Sequence, residues 1–260
     1  MTSSAAAQRG IWCQLGDPIA TGIVARSGAD WLCLDAQHGR FDRGALAATL
    51  AVRRDDWPPV AVRLAQLDDA EIGHALDAGA DWVIVPLVET VEQTRRAVAA
   101  AYYPPLGRRS WGPLTTLWDR PTPDAVAANV PRRVWIMIET AAGLAAIDEI
   151  LAVEGLGGVL LGPNDLSLSL GITQDELLAD ERPEGPLRTI RAAAERAGIV
   201  AAAFGGDPAK GARMAEHGFA MVVVGTDAAA LATGTIELLA GSGAGATTAV
   251  PVGYARADSR

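Results

Sequence analysis

Lysine is nearly absent: Lys210 is the only one among 260 residues, and every other basic side chain is arginine. A Schiff-base enzyme needs a desolvated lysine amine with a lowered pKa. DPAKGARM reads as a polar helix start, in which Lys210 is expected to be solvated and protonated. Neither a Schiff-base lysine nor pyridoxal phosphate is therefore expected. No Gly-Lys-Ser/Thr occurs, and no G-x-G-x-x-G follows the first apolar run, so a bound nucleotide is not expected either. Cysteine is scarce as well. Cys13 and Cys33 sit in apolar segments and cannot build a disulfide framework, which fits two small core residues in a reducing compartment, the cytoplasm. Positive charge is in deficit: 22 Lys plus Arg against 31 Asp plus Glu leave a net charge of −9. That field repels nucleic acid and anionic membranes. Apolar runs fall far short of the ~20 residues of a spanning helix, and MTSSAAAQR has no secretory apolar core.

What is present is a repeat of short apolar, β-branched or Trp-bearing runs, bounded by Gly or Pro and separated by Ala-rich stretches of helical spacing. The eight runs are Ile11 to Leu15, Trp31 to Asp35, Val60 to Leu64, Trp82 to Pro86, Val134 to Glu139, Gly158 to Gly162, Ile199 to Phe204 and Met221 to Gly225. Near-continuous apolar strands require a sheet covered on both faces, and strand–helix alternation requires parallel pairing. Eight such units match a single-domain α/β protein of the TIM or (β/α)₈ barrel type over residues 10–240, with flexible segments at 1–9 and 241–260. An open doubly wound sheet is the competing architecture. Residues 102–133 form a long connection, of a length that usually marks function or an interface.

In such a barrel the chemistry sits at the carboxyl ends of the strands. The polar residues there are few: Asp35, Gln37 and His38 after strand two, Arg63 after three, Glu139 after five, and Asp165 after six. Glu139 and Asp165 end neighbouring strands, ~4.8 Å apart, so their carboxylates can converge on one cation. Two carboxylates without Cys or His select a hard six-coordinate ion such as Mg²⁺ or Mn²⁺. The alternative is that both serve locally as cap and turn residues. His38 beside Asp35 is a candidate general base. Arg63 suits a substrate carboxylate or a developing oxyanion, or else a structural ion pair with Asp35. Trp12 and Phe204 are candidate walls for an aldehyde.

LDAQHG, AVRL, IET and GPNDLS, in this order, resemble the HpcH/HpaI family of metal-dependent class II pyruvate aldolases, from about Gly10 to about Ala232. The resemblance implies a (β/α)₈ barrel in a homo-oligomer, commonly a hexamer that exchanges a barrel helix. It also implies a divalent ion (Mg²⁺, Mn²⁺, Co²⁺ or similar) and reversible cleavage of 4-hydroxy-2-oxo acids into pyruvate and an aldehyde. Glu139 and Asp165 match the metal carboxylates, His38 the proton acceptor, and Arg63 the transition-state arginine. Asp77 matches an acid that raises the basicity of the histidine, although it closes the helix before strand four and could reach a histidine only across a subunit contact. Gly162, Pro163 and Asn164 match the stretch that holds the pyruvate carboxylate. Met137 stands where a polar Gln touches the substrate in heptanedioate-cleaving members, and Gln37 replaces a frequent Glu. Two rivals are a CoA-thioester lyase of the malyl or citramalyl type, for which Arg108 and Arg109 are the only adjacent arginines near the presumed mouth, and a non-catalytic binding barrel.

Overall fold

The computed structural model describes residues 6–122, 124–129 and 133–242. The first half alternates β1 (Gln8–Cys13), α1 (Pro18–Ala25), β2 (Trp31–Asp35), α2 (Arg43–Ala51), β3 (Val60–Arg63), α3 (Asp69–Asp77), β4 (Trp82–Val85) and α4 (Val91–Ala101). A 3-10 turn at Leu114–Trp118 and the short α5 (Ala125–Ala128) interrupt the long connection to β5 (Val134–Ile138). There follow α6 (Ala141–Ala145), α7 (Ile147–Leu151), β6 (Leu156–Leu161), α8 (Pro163–Leu170), α9 (Gln174–Ala179) and α10 (Pro186–Ala197). The chain ends with β7 (Val200–Phe204), α11 (Pro208–Glu216), β8 (Met221–Thr226) and α12 (Asp227–Gly241).

Each strand pairs in parallel with the next and β8 pairs with β1, so the sheet closes into an eight-stranded barrel rather than the open sheet. Closure explains where the strand ends depart from the sequence reading. β1 starts at Gln8, ahead of the apolar run, because the Gln8 N–H donates to the Ala220 carbonyl and Gln8 pairs with Met221. β6 starts at Leu156, since Leu156 already pairs with Val134. The tail expected to be flexible lies outside the described residues from 243 onward, as do residues 1–5.

Alternation along each strand splits the apolar side chains into two layers. One packs between barrel and helices, and the other fills the barrel from inside with Trp31, Trp82, Trp135, Ala61, Ile84 and Leu160 among others. The indoles of Trp31 and Trp82 lie with centroids 6.1 Å apart, and those of Trp82 and Trp135 stack at 5.1 Å. Two glycines make room for them. A Cβ on Gly10 would come within 2.2 Å of the Trp31 ring, and one on Gly158 within 2.6 Å of the Trp135 ring. Cys13 and Cys33 are fully buried, and burial pushes both thiols well above their ordinary pKa, as inert core residues require.

The same period of two sets the site. Two residues beyond Ala61 is Arg63, two beyond Trp135 is Met137, and two further is Glu139; Leu160 leads likewise to Gly162, and Ala202 to Phe204. The inward face that is apolar through the barrel therefore acquires Arg63 and Glu139 at its carboxyl end, set among Met137, Gly162 and Phe204.

Candidate active site

Arg63 is 4% exposed and Asp35 is fully buried on the adjacent strand, where the two residues are register partners. Arg63 Nε donates to Asp35 Oδ1 at 2.8 Å and Nη2 to Oδ2 at 2.7 Å, a two-pronged pair that fixes the guanidinium plane. Asp35 Oδ1 also accepts the N–H groups of Gln37 (3.0 Å) and His38 (3.3 Å). One carboxylate thus anchors both the arginine and the turn that carries His38. Gln37 Oε1 is buried without a hydrogen-bond partner. The Arg63 guanidinium lies 5.0 Å over the Trp12 ring, and Trp12 meets Phe204 edge to face at 5.3 Å. That contact extends the positive group with a polarisable wall.

Glu139 is 1% exposed. Burial pushes its carboxyl up to about 7, opposed by the Leu87 N–H and the charge of Arg63 and reinforced by Asp165. The Leu87 N–H donates to Glu139 Oε1 at 2.6 Å, and Leu87 holds a left-handed φ of 54°. A side-chain-bearing residue adopts that conformation only where its surroundings compel it, here in the turn that delivers this donor. Gly162 is required for space: a Cβ there would lie 2.7 Å from Glu139 Oε2 and 3.0 Å from Met137 Cε.

Among the described residues, seven of the eight helices that directly follow a strand are capped by the Asp or Thr that precedes them; α8, after Gly162, has no side-chain cap. Its first-turn N–H groups face the mouth with the positive end of the helix dipole. Trp12, Arg63, Met137, Glu139, Gly162, Pro163, Asn164, Asp165 and Phe204 enclose a space of about 20 Å³, the size of a water or an ion, at the bottom of that mouth.

The strand ends pointed to Trp12, Arg63, Glu139, Asp165 and Phe204 and the family resemblance to Met137, Gly162, Pro163 and Asn164; Asp35 stands behind this wall, holding Arg63, and two expected residues lie away from it. His38 is exposed on the β2–α2 turn and is not part of the enclosing wall. Asp77 closes α3 and pairs with Arg109 in a separate cavity of about 480 Å³, which shares no lining residue with the first. Burial raises the Asp77 carboxyl above its usual range, against the pull of Arg109. Arg108 pairs with Asp69 beside the same separate cavity, so the adjacent arginines are not at the mouth, contrary to the expectation for a CoA site. Lys210 also departs from its reading as a freely solvated amine: Nζ donates to Gln174 Oε1 at 2.8 Å. Gln174 carried no signal in the sequence, because its partners are distant in the chain.

Among the described residues, no group of three or more His, Cys, Asp or Glu is arranged to hold a metal. Glu139 and Asp165 nevertheless fit a hard divalent ion that draws its remaining ligands from water and substrate. A carboxyl raised by burial beside a second carboxylate is a group that a cation would relieve.

The family model of HpcH/HpaI aldolase/citrate lyase matches residues 8–233. A hydroxypyruvate/pyruvate aldolase of Roseovarius nubinhibens is 38% identical, covering 89% of this chain and 90% of that protein. A 4-hydroxy-2-oxo-heptane-1,7-dioate aldolase of Salmonella dublin is 33% identical, covering 91% and 90%. The crystal structure of an HpcH/HpaI aldolase from Desulfitobacterium hafniense superposes with a TM-score of 0.79 at 30% identity, covering 91% of this chain and 93% of that one.

Proposed function

The chain belongs to the HpcH/HpaI aldolase/citrate lyase family, and from that premise we propose that it is a metal-dependent carbon–carbon lyase cleaving 4-hydroxy-2-oxo acids reversibly into pyruvate and an aldehyde. The observation that carries this reading is the convergence, in one barrel mouth, of buried Glu139, Asp165, the Asp35-braced Arg63 and the uncapped start of α8. Glu139 and Asp165 would hold Mg²⁺, Mn²⁺ or a similar ion such as Co²⁺, which supplies electron withdrawal at the 2-oxo group. The backbone N–H groups of Asn164 and Asp165, in the uncapped first turn of α8, bind the carboxylate of the acid. His38 takes the proton of the C4 hydroxyl, the C3–C4 pair moves to C3, and the aldehyde leaves. Arg63 stabilises the negative charge of the resulting enolate. Protonation at C3 gives pyruvate.

Asp77 serves His38 of a neighbouring copy in this reading, since it lies apart from the mouth of its own barrel. Large apolar side chains left exposed on α12 (Leu231, Leu238) and α1 (Ile19, Ile23) support a homo-oligomer, a hexamer by family resemblance. Among the described residues no helix is long and apolar enough to cross a membrane, and we place the enzyme in the cytoplasm, acting on small molecules rather than nucleic acid. The CoA-thioester alternative loses its support with Arg108 and Arg109 turned to Asp69 and Asp77.

Pyruvate release from a panel of 4-hydroxy-2-oxo acids, measured with and without chelator, tests the proposal. Undiminished turnover after chelation refutes it. His38→Ala is expected to lose ~10²- to 10⁴-fold in cleavage, the range for a positioned general base; an unchanged rate assigns the base elsewhere.

Met137 is 3% exposed and faces the mouth. A thioether is a weak acceptor and a soft apolar surface. Neutral or apolar aldehydes are therefore expected to be preferred over succinate semialdehyde, by roughly 2- to 13-fold, the worth of one hydrogen bond. Competition kinetics with Met137→Gln check this: a ratio that does not move toward the semialdehyde shows that Met137 does not contact the aldehyde.

A further inference from the structure

Three polar side chains at the carboxyl end of the barrel form a continuous chain that the reaction scheme leaves unused. Lys210 Nζ donates to Gln174 Oε1 at 2.8 Å, and Gln174 Nε2 donates to Asn164 Oδ1 at 3.1 Å. They come from the first turns of α11, α9 and α8. Asn164 belongs to the wall of the mouth together with Glu139, Asp165 and Arg63. Lys210 is itself steadied by Asp207, the cap of α11, whose Oδ1 accepts the Lys210 N–H at 2.8 Å and whose Oδ2 lies 3.7 Å from Nζ.

The chain has only one possible polarity. A lysine ammonium donates and cannot accept, so Gln174 must turn its carbonyl oxygen toward Lys210. Its amide group then offers Asn164 only N–H donors, and Asn164 must answer with its oxygen. The polar group that Asn164 has left over is its NH₂. Without a donor-only residue at the far end, both amides could rotate together and still make the Asn164–Gln174 bond, with the Asn164 oxygen now on the cavity side. A 2-oxo acid presents only acceptor oxygens at its carboxylate and keto groups, so one polarity attracts it and the other repels it.

We infer that Lys210 and Gln174 are positioning residues that lock Asn164 with its N–H donors toward the oxygens of the bound 2-oxo acid. The ligand named here rests on the aldolase reading; the existence of the chain does not.

Two measurements test it. The first is pyruvate affinity in the presence of Mn²⁺, by titration calorimetry. Gln174→Glu keeps a partner for Lys210 but replaces the donor facing Asn164 by an acceptor, which reverses Asn164; pyruvate is expected to bind about 10-fold more weakly. Lys210→Met, which permits both orientations, is expected to weaken binding by ~2- to 5-fold, and Lys210→Arg to bring it back within ~2-fold of wild type. In cleavage assays the loss is expected in KM more than in kcat. The second measurement exploits Lys210 as the sole lysine: its acylation by an amine-reactive ester, followed by peptide mapping, is expected to be several-fold faster in Gln174→Leu, where Nζ loses its hydrogen bond to Gln174 and keeps only the longer contact with Asp207. Equal acylation rates overturn the chain itself. Faster acylation with wild-type pyruvate affinity in Gln174→Glu overturns the role of Asn164 toward the ligand. A wild-type protein that binds no pyruvate with Mn²⁺ overturns the ligand assignment along with the aldolase reading, while the acylation rates still report on the chain.

Discussion

Glu139→Gln is expected to lose ~10³-fold or more in turnover and at the same time to make the metal-free protein harder to unfold at pH 8. The two effects share one cause. Burial raises the Glu139 carboxyl from an ordinary 4.5 to about 7 in the fold. Below the unfolded value the group is protonated in both states and costs nothing. As pH rises from about 4.5 to about 7, the unfolded chain releases this proton to water while the buried carboxyl of the folded state retains it, so stability falls across that window and levels off above it. At ~1.4 kcal/mol per unit the deficit at pH 8 is on the order of 3 kcal/mol. Glutamine has no such charge and retains an oxygen for the Leu87 N–H. A divalent ion acts in the opposite direction, favouring the carboxylate, so it is expected to raise the melting temperature of the wild type at pH 8 and to leave the variant nearly unmoved. Calorimetric scans at pH 5 and pH 8, with chelator and with Mn²⁺, separate these cases. A variant less stable than wild type in chelator at pH 8, or one that still turns over, contradicts the assignment. Asp165→Asn is expected to lose turnover as well, without the gain in stability, because Asp165 is exposed.

Asp35→Ala is expected to be the most damaging change at the mouth that touches no presumed ligand of the metal. It strips the buried Arg63 of both its bonds to Asp35, breaking a buried ion pair on one side, a loss of ~3–5 kcal/mol. It also releases the N–H groups of Gln37 and His38, so the turn bearing the base loses its anchor. Cleavage and pyruvate methyl-proton exchange should both collapse, and the melting temperature should fall by roughly 10 °C. Arg63→Lys retains the charge without the planar fork and should lower both reactions together with a smaller loss of stability. Near-normal exchange and cleavage in Arg63→Lys would confine Arg63 to a structural role.

The strands and the mouth were legible in the sequence because both depend on short-range rules. Gly and Pro punctuate the runs, and a period of two carries an inward apolar residue to an inward polar one, as from Trp135 through Met137 to Glu139. The Arg63–Asp35 pair was legible as an alternative, since it joins adjacent strand ends. Partners set by the packing of distant helices were not. Nothing local tells that Asp77 meets Arg109, that Lys210 reaches Gln174, or that Leu87 is bent into a left-handed turn to serve Glu139. The early start of β1 was hidden for a related reason. Gln8 and Arg9 are polar and exposed, and become strand only because β8 supplies the other half of the ladder.

The indoles packed inside the barrel give closure an optical consequence. Trp31, Trp82 and Trp135 come from strands two, four and five, with neighbouring ring centroids 6.1 and 5.1 Å apart. At such separations aromatic transition dipoles couple, so the assembled barrel is expected to show an exciton band in circular dichroism that helices alone cannot produce. Trp12 lies under the guanidinium of Arg63 and lines the mouth, so the difference in emission between the wild type and Trp12→Phe is expected to answer to charge there. The circular dichroism is therefore expected to read the joining of the strands, and that difference in emission the arrival of an anion.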